Sequence, residues 1–293
     1  MAKFLLIDAN SLIHRCYHAL PPFTNKKGEP TGALYGLASI LLKIVRDKNE
    51  SALPLYNNSS EYIAAFFDRP EPTFRKEKFE EYKIHRPKAD DALVAQLIEA
   101  HNLFAAFNIK TFELPGYEGD DLIGTTVKKY KNTPDIKIVI LTADTDMMQL
   151  VENEKVVVES TQKGISETTV YNEEKVIEKY GLKPSELADY KGLVGDTSDN
   201  IPGVPGIGPK TAAPIIQKYG ALENFFEKGK DEKSYEKIFA EKEKALFSRD
   251  LTTIHCDAPF EIELEKLKYE DLPKKQIIEY FEHQGFKALL KRV

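Results

Sequence analysis

Cysteine is nearly absent. Cys16 and Cys256 stand far apart in the chain and in no metal-ligand spacing. That excludes a disulfide framework and a thiolate zinc cage, and it fits a reducing, cytoplasmic setting in which each thiol is a small buried hydrophobe. Long hydrophobic runs are missing too. No stretch approaches the roughly 20 apolar residues that span a bilayer, so no membrane partner is expected. The run that opens MAKFLLIDAN meets Asp8, is too short for a signal peptide, and reads as a strand. A P-loop, a G-x-S-x-G elbow and a dinucleotide fingerprint in its required context are also lacking, which turns attention to other chemistry. Nor is there an excess of positive charge. The 47 acidic and 41 basic side chains give a formal net charge of −6. Taken as a sum this argues mildly against a nucleic-acid partner, but clustering decides the matter.

What is present is a globular composition, 42% hydrophobic and 30% charged over 293 residues. Such a chain can bury a full core as one large domain plus a smaller one. Strand-like runs (KFLLID, YIAAFFD, IKTFELP, KIVILTAD, KVVVES) alternate with helical patterns up to about residue 170. This alternation predicts an α/β fold, a largely parallel sheet with helices on both faces. Helical signals dominate from about residue 175 onward, around a cluster of glycines and prolines. The stretch 46–61 reads as a surface loop.

The ends of the predicted strands carry the informative pattern. The first delivers Asp8 and the second Asp68. The third leads into Glu118, Asp120 and Asp121, and the fourth into Asp144 and Asp146. Each acid alone has an ordinary explanation as a helix cap or as a charge favouring the start of a helix. Ligands of open parallel sheets, however, bind beyond the carboxyl ends of the strands. These acids therefore converge on one crevice, where they would repel one another and be driven toward protonation. Bound divalent cations remove that penalty, and all-oxygen donors suit Mg²⁺ or Mn²⁺ rather than zinc. Two such ions about 4 Å apart support in-line hydrolysis of a phosphodiester.

Directly after Asp68, the segment RPEPTFRKEKFEEYKIHRPK mixes Arg75, Lys76, Lys78, Lys83 and Arg86 with Phe74, Phe79 and Tyr82. Cations can bind phosphates and aromatics can stack on unpaired bases. The interleaved Glu77, Glu80 and Glu81 equally suit a solvated, salt-bridged helix. Further on, IPGVPGIGPKTA sets Gly203, Gly206 and Gly208 before Lys210 at a helix start, a pattern for close approach to phosphate or for a tight interhelical turn. Asp196 and Asp199 precede it, spaced to face one side of a turn, either as caps or as completion of a second metal site.

The segments LLIDANSLIHRCYHAL, FFDRPEPTFRKEKFEEYKIHR, ELPGYEGDDLIG, ILTADTDMMQL and LADYKGLVGDTSDNIPGVPGIGPKTA together resemble the 5′-nuclease family. The likeness is specifically to the 5′→3′ exonuclease domain of bacterial DNA polymerase I, and it runs from the first strand to FKALLKRV. It implies a PIN-like nuclease core over 1–175 and a helical DNA-binding domain over 176–293. It also implies hydrolysis at 5′ flaps and ends of branched or nicked duplex DNA, in primer removal and repair, with two ions of Mg²⁺ or Mn²⁺. On that resemblance Asp8, Asp68, Glu118, Asp120, Asp121 and Asp144 lie nearer one ion, and Asp146, Asp196 and Asp199 nearer the other. Arg75, Tyr82, Lys83 and Arg86 belong to a helical arch over about 69–90, with Lys83 touching the scissile phosphate and Arg75 as its catalytic companion. Arg15 is a further basic position beside the active site. Gly203, Gly206, Gly208 and Lys210 form a helix–hairpin–helix type element, about 196–219, that grips duplex phosphates and can hold K⁺. The implied partners are DNA with a 5′ flap, nick or overhang, an RNA primer on DNA, and a polymerase in the same longer chain. A monomer is expected. Pro214 departs from the family pattern, inside what should be a helix. Two rivals stand beside this reading, a PIN-type ribonuclease and a non-catalytic DNA-junction binder. A phosphatase fits less well, for want of a phosphorylatable Asp motif in context.

Overall fold

The computed structural model describes residues 1–46, 61–161 and 167–293. The loop expected at 46–61 falls outside them except at its two ends. The apolar runs form β1 (Ala2–Asp8), β2 (Tyr62–Phe66), β3 (Lys110–Phe112), β4 (Ile136–Thr142) and β5 (Val156–Thr161), all parallel. A sixth strand, β6 (Thr168–Tyr171), pairs antiparallel with β5 at the edge. The order is 3-2-1-4-5-6. The central strand β1 is buried on both faces, as a parallel sheet covered by helices requires. Phe4 and Leu6 join one apolar cluster while Leu5 and Ile7 join the other, following the two-residue alternation of a strand.

The first half carries α1 (Ala9–Ala19), α2 (Gly32–Arg46), α3 (Phe74–Lys78), α4 (Asp91–Ala106) and α5 (Gly119–Tyr130). After the sheet come α6 (Glu173–Tyr180), α7 (Leu187–Val194), α8 (Pro209–Tyr219), α9 (Leu222–Lys228), α10 (Tyr235–Ala240), α11 (Lys242–Thr252), α12 (Lys274–Gln284) and α13 (Lys287–Leu290). The change near residue 175 is one of secondary structure within a continuous core. Leu193, Val204, Ile215 and Phe225 share a cluster with Phe4, Leu6 and Ile140. Ile277, Phe281 and Leu289 return to the other face, beside Leu5, Leu34 and Phe107. No helix among the described residues is long and apolar enough to cross a membrane.

Strand order decides where a site can form. The chain runs outward from β1 to β2 and β3, then returns to lay β4 on the other side of β1. The crossovers diverge at β1 and β4, leaving a crevice beyond their carboxyl ends. Asp8 lies at the end of β1, and Asp144 two residues past the end of β4.

One expectation about local shape needs correction. The segment 69–90 is helical only over α3, and it continues as turns closed by Tyr82 N–H to Phe79 O (2.9 Å) and Arg86 N–H to Lys83 O (3.1 Å). It lies against the 199–201 loop, where Lys83 N–H donates to Asp199 O and Tyr82 packs with Ile201 and Leu251, so this conformation has no open arch. Pro214 lies inside α8, past its first turn, and the helix runs on to Tyr219. Proline lacks the N–H that would bond four residues back, and both Pro214 and Lys210 are exposed, where water can serve the freed carbonyl.

Candidate active site

Asp8 caps α1, its Oδ1 accepting the Ser11 N–H at 3.1 Å, as the sequence allowed. Its other oxygen accepts the buried Thr142 hydroxyl at 2.6 Å. Thr142 Oγ1 also accepts the Asp144 N–H (2.8 Å), and Ser11 Oγ accepts the Ala143 N–H (3.0 Å). Ser11 and Thr142 thus stitch the end of β1 to the end of β4. Asp144 in turn accepts the Asp146 N–H at 2.8 Å, so capping duty and convergence coexist in the same carboxylates. Asp68 is held by the Gly119 N–H at 2.7 Å, which ties the end of β2 to the start of α5 and sets Asp120 beside it.

Asp8, Asp68, Glu118, Asp120, Asp144, Asp146 and Asp199 line one cavity of about 400 Å³. Burial lifts the Asp8 carboxyl to about 6 against the hydrogen bonds of Ser11 and Thr142, and Asp68 adds to the rise. Asp120 is pushed well above the usual carboxylate range by burial and by Asp8, Asp144, Asp68 and Glu118. Asp8, Asp68, Asp120 and Asp144 take no part in the ion pairs found among the described residues. A group of oxygen donors short of positive charge fits a hard divalent cation. Even so, no three Asp, Glu, His or Cys side chains among the described residues form a ready-made cage. The carboxylates must draw together around an ion.

The second half of the crevice is compensated. Lys191, a residue the sequence reading passed over, hydrogen-bonds Asp146 and Asp196, the latter at 2.7 Å. Burial raises the Asp146 carboxyl to about 6, Lys191 opposes the rise and Asp144 adds to it. For Asp196, Lys191 and Ser198 outweigh burial and hold it below its ordinary value. Asp199 accepts from Arg86 (2.5 Å) and from the Tyr82 hydroxyl (3.1 Å). The loop carrying both acids closes through reciprocal bonds between Asp196 and Ile201 at 2.8 Å. Gly195 and Gly203 cross at its base with φ of +75° and +60°, and a Cβ on Gly203 would sit 2.3 Å from Gly195 N.

Three candidates stand apart from the bare carboxylates in this geometry. Asp121 faces away from the crevice, fully buried. Its carboxylate takes both arms of the Arg75 guanidinium at 2.7 Å, plus the His255 and Glu118 N–H groups. With its oxygens so committed, it stands outside the group of carboxylates that lack a cationic partner. Arg75 is itself 3% exposed and also donates to the Leu251 and Thr253 carbonyls. Burial works against its charge, yet Asp121 and Glu118 hold it firmly protonated. It borders the cavity, yet each of its three guanidinium nitrogens is engaged by a protein oxygen, so it ties this corner together. Gly203, finally, is buried and its N–H points at Ser248 Oγ, so it cannot meet a phosphate.

The remaining candidates border the cavity or the surface, although Tyr82 is buried with its hydroxyl on Glu118 and Asp199. Lys83 bonds Glu118 at 2.8 Å, and burial is outweighed by Glu118 and Asp199, which raise its pKa. Arg15, Tyr82 and Arg86 line the same cavity. Arg15 also donates to the Thr161 carbonyl. Gly206, Gly208 and Lys210 sit at the amino end of α8, away from that cavity, with Gly206 and Lys210 exposed. His14 and His18, four residues apart on α1, complete the cavity wall and were also missed. Their spacing in LIHRCYHAL places them on one helix face and is a signal that could have been read.

Comparison with known proteins comes to the same place. The family described as 5′-3′ exonuclease, N-terminal resolvase-like domain matches residues 3–181, and its C-terminal SAM fold matches 182–275. The chain is 38% identical to DNA polymerase I of Bacillus subtilis (strain 168), over 99% of this chain and 32% of that one. It is 32% identical to the 5′-3′ exonuclease of Aquifex aeolicus (strain VF5), over 100% of this chain and 96% of the other. The chain therefore spans about a third of the length of the polymerase relatives it matches. Among solved structures, the bacteriophage T5 5′-exonuclease with zinc bound superposes with a TM-score of 0.64 at 20% identity, over 85% of this chain and 89% of that one. The catalytic core of Rad2 in complex with DNA gives 0.61 at 15% identity, over 100% and 93%. At these identities the likeness is one of fold.

Proposed function

This chain belongs to the 5′-3′ exonuclease family and is a nuclease of that family; from that premise we propose that it cuts phosphodiester bonds beside the single-strand/duplex junction of a 5′ flap or nicked end in DNA. The observation that carries the reading is the charge-deficient carboxylate group at the β1–β4 switch point, walled by Lys83, Arg86, Arg15, His14 and His18. Asp8, Asp68, Asp120 and Asp144, with Glu118 at their edge, would hold one Mg²⁺ or Mn²⁺, and Asp146, Asp196 and Asp199 a second. When bound, such ions supply an activated water and charge stabilisation for in-line displacement at phosphorus. The chain's own part is to orient them. Thr142 and Ser11 fix Asp8 relative to Asp144, and Gly119 fixes Asp68.

Lys83 and Arg86 now neutralise Glu118 and Asp199. A substrate phosphate would compete for the same cations, so the segment 79–86 would exchange internal carboxylates for the DNA backbone as it binds. The N–H groups around Gly206 and Gly208, with Lys210, would grip the duplex at a helix start, where K⁺ can share the phosphate. Primer removal and repair are the setting we infer, and the polymerase relatives support nuclease and polymerase sharing one longer chain. A cytoplasmic monomer remains our reading of its state; two free, widely separated cysteines support the compartment.

The test is a 5′-flap duplex labelled at its 5′ end, incubated with Mg²⁺, with EDTA, and beside a blunt duplex and a single-stranded RNA. Metal-dependent products cut near the junction, and much faster for the flap, are expected. Preferential RNA cleavage would move the reading to a PIN-type ribonuclease. Tight flap binding without cleavage would move it to a junction binder.

A further inference from the structure

We propose that Lys191 is an internal counter-cation, seated where the second divalent ion must enter, and that this ion has to displace it to reach Asp146 and Asp196. The inference rests on the metal-dependent nuclease reading above and concerns how that one site is loaded. The Lys191 ammonium contacts both carboxylates at once, and its side chain is only 20% exposed. The two acids come from separate elements, Asp146 from the turn after β4 and Asp196 from the loop after α7. Lys191 is locked to the same reversal that delivers Asp196, because its carbonyl accepts the Gly195 N–H at 2.7 Å. The Oδ1 of Asp196 is already committed to Ser198 N–H (2.8 Å) and Oγ (2.6 Å), which leaves Oδ2 to the ammonium.

The crevice is thus electrostatically divided. An ion entering between Asp8, Asp68, Asp120 and Asp144 meets carboxylates with no ion-pair partner among the described residues. An ion entering between Asp146 and Asp196 meets a pair that already holds a positive charge. Lys83 and Arg86 compensate their acids from a segment of turns. Lys191 does so from α7, whose Leu193 is part of the core, so it cannot leave with that segment. The two ion affinities should therefore be staggered, the second weakened by the ammonium. Cutting would set in only at the Mg²⁺ level that overcomes Lys191.

The test is Mn²⁺ titration of the DNA-free protein, with free Mn²⁺ read by electron paramagnetic resonance, for wild type, Lys191→Met and Lys191→Gln. Wild type should show one stronger and one weaker site. In Lys191→Met the weaker site should tighten by about tenfold or more, from removal of one like charge, with the stronger site unchanged. Lys191→Gln keeps a donor without the charge and should behave the same way, and it serves if the methionine variant does not fold, as judged by thermal unfolding. The Mg²⁺ midpoint for flap cutting should fall by a similar factor. A weaker site that is unaltered, or loosened along with the stronger one, overturns the proposal and leaves Lys191 a structural residue. Absence of any Mn²⁺ binding to wild type at millimolar concentration overturns the metal-site reading and this inference with it.

Discussion

Replacing Arg75 with alanine separates a structural role from a catalytic one. The guanidinium makes two 2.7 Å bonds to Asp121 and reaches the Leu251 and Thr253 carbonyls at 2.9 and 2.8 Å. It thereby binds α3, the start of α5 and the end of α11 into one corner. Removing it strands the Asp121 carboxylate in a fully buried position with only the His255 and Glu118 N–H groups left. Breaking one side of such a pair costs about 3–5 kcal/mol, because the partner's charge remains uncompensated. In a chain of this size that corresponds to a fall in Tm of about 5–8 °C. Asp121→Asn should cost less, since the amide keeps the shape and some of the hydrogen bonds. The double variant should fall well short of the sum, because each change removes the same interaction. Urea unfolding of the four proteins, followed by far-UV circular dichroism, measures this directly. Flap cleavage per folded molecule should drop far less than stability does. An Arg75→Ala protein as stable as wild type to within about 1 kcal/mol, yet dead in cleavage, would refute the structural assignment and restore Arg75 to the chemistry.

Other consequences can be checked as simply. The Asp8 carboxyl stands at about 6 in the folded chain against an ordinary 3.8, so folding favours its protonated form. That contribution is complete below about pH 4 and is lost as pH rises through 6. In EDTA, the stability of Asp8→Asn relative to wild type should therefore rise by up to about 3 kcal/mol between pH 4 and 7, and a flat difference would contradict the burial argument. Gly203→Ala should destabilise by about 2–4 kcal/mol through its positive φ and the collision with Gly195, displacing Asp196 and Asp199; an unfolding curve within about 0.5 kcal/mol of wild type would show that the loop base can relax. Lys83→Ala should slow single-turnover flap cutting by roughly 100-fold while duplex affinity falls much less, and an equal loss in both would reduce Lys83 to a binding residue.

Much of this molecule is legible in the chain because the relevant forces are local. Apolar runs such as KFLLID and KIVILT, short and bounded by polar residues, read as buried strands, and the polar residues that end them then lie at the sheet's rim, which is why the acids at 8, 68, 120 and 144 could be named as neighbours. Partnership is another matter. Asp120 and Asp121 are consecutive in GDD, but consecutive residues on a helix point about 100° apart. Only the packing of α3 and the 251–255 segment against α5 decides that Asp121 is consumed by Arg75 while Asp120 meets the crevice. In the same way Lys191 and Thr142 bear no mark in sequence that separates them from other lysines and threonines. Their roles come from strand order and from a loop reversal at Gly195 and Gly203, contacts between residues far apart in the chain. Periodicity and composition determined the elements and the kind of chemistry; which carboxylates stand bare and which are already paired is a long-range electrostatic question, and the tertiary structure alone answers it.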